Sequence, residues 1–225
     1  MKRKTTILYL LLIVLSWSCE STQSKVQTSP ESQEETISQI DTLNAVKIGH
    51  YWAKPKESFE FNTLGESKGD TITFVTCSDY VFSPFGEVNN KTQLRTSLLK
   101  NFSMVDRIDT LDNEAFEFQI LTLKNSRLIL FFDDSSEGSR GSYIHKGEIM
   151  DTEVNLSDNV KIGMSKKDFI MTFFDNFPDE ALSTYNHFVF ESCVTDIWHT
   201  YTFTGDKLQS IKFTTDSYWV VDYMK

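Results

Sequence analysis

The sequence predicts an α+β protein: a tandem repeat of helix plus antiparallel β-sheet units, set behind a signal peptide and a flexible tether. Three observations predict it. A Gly turn, a helical apolar stripe and three β-like runs follow one another between Val160 and Thr214. The same order recurs more faintly between Phe82 and Met150, with Gly86 and Gly163 77 residues apart. Hydrophobic residues make up 40% of the chain and include 18 Phe, enough to fill the space between helices and a sheet.

The first element is an address. Lys2, Arg3 and Lys4 precede an unbroken apolar run, Ile7–Leu15, and Ser16-Trp17-Ser18 leads into Cys19. A basic start, a short apolar core and small residues before a cut read as a signal peptide over 1–18. Nine residues of helix span only about 14 Å, roughly half of a bilayer's hydrocarbon, which is too short for a stable anchor. Cys19 resembles the lipid-bearing first residue of mature bacterial lipoproteins. Leu15 stands four residues ahead of it rather than three, and cleavage after Ser18 without lipid is the plainer alternative.

Residues 19–44 then read as the lipidated Cys and a linker. Ser, Thr, Gln and Glu dominate, and Val26, Ile37, Ile40 and Leu43 are scattered. Such a composition buries too little surface to offset the entropy of ordering. As a random coil, some twenty-five residues reach roughly 25–30 Å.

Residues 45–150 form the first expected unit. A β-like run, Thr71–Cys77, precedes the turn Phe82-Ser83-Pro84-Phe85-Gly86, and Leu94, Leu98, Leu99 and Phe102 suggest a helical stripe. Phe116–Lys124 and Arg127–Asp133 read as a hairpin around Asn125-Ser126, with Ser142–Met150 as a third strand. Asp106–Asp112 reads as a solvated connection, and Asp133–Gly141 as an acidic loop lacking the residue spacing of a calcium site.

Residues 151–225 form the second unit. Gly163 is expected in a turn with positive φ. Ser165 is expected to cap a helix, with Asp168 completing a capping box, and Phe169, Ile170, Phe173, Phe174 and Phe177 as its stripe until Pro178. Strands follow at His187–Cys193, Asp196–Phe203 and Lys207–Thr214, and Ser217–Tyr223 offers another. Ile197, His199, Tyr201 and Phe203 alternate with Trp198, Thr200 and Thr202, the pattern of a strand with one buried face.

The segment Ile162-Gly163-Met164-Ser165-Lys166-Lys167-Asp168-Phe169 resembles the opening of small outer-membrane assembly lipoproteins of the SmpA type. Trp198, Tyr201 and Phe203, the turn Gly205-Asp206-Lys207-Leu208, and Ile211 and Phe213 are similar to that family's aromatic strand, turn and closing strand. A tandem copy of the unit looks like the β-lactamase inhibitor protein fold. The likeness covers about 160–214 and touches 80–150 only weakly. It implies a binding protein without catalytic residues, so none is carried over, and fold likeness alone does not assign a role.

Composition and spacing narrow the chemistry. Without Lys2, Arg3 and Lys4 the balance is 19 basic to 32 acidic side chains, a formal −13, which disfavours nucleic acid as a partner. His50, His145, His187 and His199 show no metal-ligand spacing, and no cofactor fingerprint is present, so catalytic, cofactor and metal residues are all expected to be none. Cys193 and His199 could approach across a hairpin, but a nucleophile pair needs an orienting third group. Cys77 and Cys193 sit in apolar runs that favour buried free thiols, while an oxidising compartment permits a bridge.

Aromatic side chains remain as binding candidates: Trp198, Tyr201, Tyr218 and Trp219 above all, with His50-Tyr51-Trp52 beside them. The alternative is that most of them fill the core. The expectation is therefore a non-enzymatic lipoprotein of the cell envelope, anchored through Cys19 to a bacterial outer membrane and facing periplasm or surface. It binds a protein partner there. An inhibitor or immunity-type lipoprotein that presents Asp133–Glu137 to a secreted enzyme, or a small-ligand carrier, are the alternatives.

Overall fold

A computed structural model describes residues 44–111, 114–132, 142–194 and 196–215. Cys19 and its linker, the acidic loop Asp133–Gly141, and Tyr218 and Trp219 lie outside the described residues. So do the inhibitor loop Asp133–Glu137 and the expected last strand.

The chain forms β1 (Val46–Ile48), β2 (Tyr51–Pro55), β3 (Phe61–Leu64), β4 (Thr71–Thr76) and a single turn of helix α1 (Asp79–Phe82). Next come β5 (Ser103–Leu111), β6 (Glu114–Leu123), β7 (Ser126–Phe131) and β8 (Ile144–Ile149). The remainder is α2 (Lys166–Phe173), β9 (Phe174–Asn176), α3 (Asp179–Thr184), β10 (His187–Ser192), β11 (Ile197–Thr204) and β12 (Lys207–Thr215).

Among the described residues nine strands make one sheet in the order β3-β4-β10-β11-β12-β8-β7-β6-β5, and β1, β2 and β9 make a small second sheet. All neighbours in the large sheet are antiparallel except β4 and β10, which run parallel with Phe74 beside Phe190. The tandem repeat of helix-plus-sheet units is thereby overturned. The fold is a β-rich one built on a large mixed sheet. Strands β10, β11 and β12 are inserted between β4 on one side and β8 on the other, so the sheet runs unbroken across 150/151.

The expected first helix fails for a local reason. Only a 3-10 turn, Gln93–Arg95, forms there. Asn90 Oδ1 accepts from the Thr92 and Gln93 N–H groups, and Ser97 Oγ donates to Leu94 O and accepts from Leu99 N. Short polar side chains thus satisfy the backbone in turns and compete with a helical ladder. Asp106–Asp112 is also not a connection, because most of it belongs to β5.

Other local readings hold. Ser165 caps α2 as expected, its Oγ accepting from Asp168 N at 3.0 Å, but the Asp168 carboxylate takes the Ser165 hydroxyl at 2.6 Å, not the Ser165 N–H that a capping box uses. Gly163 has φ +86°, in the left-handed region that favours glycine. The helix ends at Phe173, however, and Phe174 already lies in β9, so Pro178 starts α3 instead of stopping α2.

The core lies between the sheet and α1, α2, α3 and β9. Phe169 of α2 packs 4.6 Å from Tyr201, 5.4 Å from Phe203 and 5.7 Å from Phe190 by ring centroids. Tyr80 of α1 meets Phe173 and Phe190, and Ala181 and Leu182 of α3 join the same cluster. Each large ring buried in this way contributes about 1.5–3 kcal/mol relative to exposure. The opposite face of the sheet carries a smaller cluster, in which Phe118 lies 5.3 Å from Phe131 and 5.8 Å from His145.

Candidate interaction surfaces

The strand period separates two of the expected binding residues. Trp198 and Tyr201 are three apart on β11, so they point to opposite faces. Tyr201 is fully buried under α2, and its hydroxyl donates to the Tyr80 hydroxyl at 3.1 Å. It is a core residue and cannot meet a partner. Trp198, half-buried, stands on the face away from the helices, in the same alternation as Thr200 and Thr202.

The most exposed aromatics among the described residues are elsewhere. Tyr51 and Trp52 are 41% and 37% exposed, at the turn end of the β1–β2 hairpin. The positions are fixed by pairing: Ile48 lies opposite Tyr51, and Lys47 opposite Trp52, across a turn at Gly49-His50. Gly49 has φ +61°, which this tight turn requires. Asn176 of β9 donates to Trp52 O at 3.3 Å and holds the hairpin to the helical side of the molecule. The sequence signal for this pair was the aromatic run His50-Tyr51-Trp52 itself.

A groove of about 640 Å³ opens beside this hairpin. Lys54 and Lys56 line it together with Glu57, Glu60 and Asp175, so it favours neither sign of ligand.

The buried ionisable groups lie within the core packing. Cys77 and Cys193 are joined in a disulfide, which corrects the expectation of free thiols and removes Cys193 as a nucleophile. The bridge follows from the parallel pairing of β4 and β10, whose last pair, Thr76 and Ser192, places the two cysteines side by side. His199 is fully buried, and desolvation lowers its pKa to about 3. Among the described residues its Nε2 has no hydrogen-bond partner, and the ring rests 4.7 Å from Phe213. Lys166, buried at the start of α2, donates to Tyr185 O at 2.7 Å and to Asn186 Oδ1 at 3.2 Å. Desolvation pulls its pKa below the usual lysine value, with Asp206 and Asp70 opposing. No sequence signal announced this lysine, although it stands three residues before Phe169 and four before Ile170, on the buried face of α2.

Among the described residues, no three His, Cys, Asp or Glu converge on a point that could hold a metal ion. No helix there is long and apolar enough to cross a membrane. In comparison with known proteins, no family model, no curated protein and no solved structure matches the chain.

Proposed function

We propose that this chain is a non-enzymatic lipoprotein of the cell envelope whose folded domain, held by a tether, binds another protein. The observation that carries this reading is the exposure of Tyr51 and Trp52, the most exposed aromatic side chains among the described residues. Exposed Tyr and Trp are costly to leave in water and are the side chains that dominate protein interfaces. They project from a hairpin that begins only two residues after the first described residue, where the tether arrives. The signal segment, with Cys19 at its end, supports an anchored location. The Cys77–Cys193 bridge supports an oxidising compartment.

The test is crosslinking and affinity purification of the full-length, membrane-processed chain. Tyr51→Ala/Trp52→Ala, Trp198→Ala and Cys19→Ala forms are run beside it. One dominant envelope protein, lost with Tyr51→Ala/Trp52→Ala and weakened with Cys19→Ala, is the expected result. Equal capture by all four forms, or none by any, overturns the reading.

A further inference from the structure

We infer that β5 is a self-complementary edge through which two copies of this chain join their sheets, Ile108 opposite Ile108 across a twofold axis. The two ends of the large sheet differ. At one, β3 is four residues long and pairs with a register shift between Phe61 and Thr63. Short, irregular edges resist further pairing. At the other, β5 runs nine residues in unbroken register with β6, and among the described residues no strand pairs with its outer side. Val105 and Ile108 there are 61% and 70% exposed. A long, regular edge with exposed apolar side chains is a template for another strand.

The charges on β5 choose the partner. Met104, paired with Leu121 and packed on the core, marks one face, which Asp106 and Ile108 share. Val105, Arg107 and Asp109 occupy the other. Two copies related by a twofold axis normal to the sheet pair antiparallel and keep each residue opposite one on its own face. Centring that axis on Asp106, Arg107 or Asp109 sets a charge against its own copy. Centring it on Ile108 sets Arg107 opposite Asp109 of the second copy, twice, with an apolar pair between them. It also places Asp106 against Thr110. Opposite charges facing across strands stabilise a pair, and like charges oppose it. The sequence therefore blocks the registers on either side of Ile108, and the one centred on Val105, which also opposes no like charges, pairs only residues 103–107 of the strand against 105–111 for Ile108.

The experiment uses the exported, full-length chain with Cys19→Ser, so that neither lipid nor a free thiol at that position contributes. Sedimentation should show a concentration-dependent dimer. Arg107→Glu should weaken it roughly tenfold or more, since two attractive pairs become repulsive. Arg107→Glu/Asp109→Arg should restore it. Single cysteines placed from 105 to 110 should crosslink best at Ile108→Cys, the residue on the axis. A monomer at every concentration reached overturns the inference. So does a crosslinking yield that does not peak at 108, or a charge exchange that fails to rescue. Dimerisation is read without the envelope partner, so its failure leaves the hairpin reading above intact, and the converse holds.

Discussion

Tyr201 and Tyr80 share a hydrogen bond inside the core, hydroxyl to hydroxyl at 3.1 Å, with both rings under the helical layer. Burial raises the pKa of both phenols far beyond their usual range, so each stays neutral at any ordinary pH. Their link ties α1 to the centre of the sheet. Tyr201→Phe should lower unfolding free energy by about 1 kcal/mol, the net value of one hydrogen bond, in urea denaturation. Tyr201→Ala should cost about 3–5 kcal/mol through the cavity left beside Phe169. Neither change should alter partner capture if the protein remains folded, in contrast to Tyr51→Ala/Trp52→Ala.

The Cys77–Cys193 bridge closes a loop with a sequence separation of 116 residues and clips β4 to β10. Cross-linking so distant a pair removes much of the freedom of the unfolded chain. The double change Cys77→Ala/Cys193→Ala should destabilise the domain by about 2–5 kcal/mol. Thermal unfolding with and without reductant, compared with that variant, checks it. A melting temperature indifferent to reductant, with the thiols shown to be free, would contradict the bridge.

Acid should weaken the fold partly through His199. Its folded pKa, about 3, lies below the ordinary 6.5, because desolvation penalises the imidazolium. Above that ordinary value neither state binds the proton. As pH falls through it, the unfolded chain takes up a proton that the folded chain refuses until about 3, so stability declines across that window. His145, lowered by burial and then by Lys146, acts in the same sense. His199→Phe, which keeps a ring against Phe213 and cannot titrate, should flatten the loss between pH 6 and pH 4 (about that span) without abolishing it. Urea midpoints measured across that range decide the matter.

Asp151 organises the β6–β7 turn. Its carboxylate accepts from Ser126 Oγ at 2.6 Å, Ser126 N at 2.9 Å, Asn125 N at 3.1 Å and Asn125 Nδ2 at 3.2 Å. Burial opposes its charge, but these donors outweigh burial and hold its pKa below the ordinary value. Asp151→Ala strands those donors and should cost about 1–3 kcal/mol by denaturation. The loss should be largest above the ordinary carboxylate pKa, and should shrink as pH falls through the depressed folded value.

The sequence by itself determined the elements whose cause is local. Ser165 with Asp168 starts α2 because the capping bonds span three residues. Gly163 turns because glycine alone enters the left-handed region freely. The hairpin β6–β7 and the strands β10, β11 and β12 follow from alternation and adjacent turns, and their bounds fall within about two residues of those expected. The same alternation placed His199, Tyr201 and Phe203 on one face of β11 and Trp198 on the other.

Tertiary structure decided everything that depends on partners distant in the chain. Whether Tyr201 or Trp198 faces the core is settled by which side of the sheet α1 and α2 cover, and periodicity is blind to that choice. The pairing of β4 with β10 joins residues over a hundred positions apart, and that long-range contact brings Cys77 to Cys193. It also dissolves the appearance of a repeat, because strands that read as two similar units are interleaved in one sheet. At 89–102, polar side chains bonding to nearby backbone outcompeted a helical ladder that the apolar spacing alone had suggested. The physical reason is common to all of these. Local patterns fix backbone dihedrals and faces, whereas burial and strand neighbours are set by non-local contacts whose free energy no single segment carries.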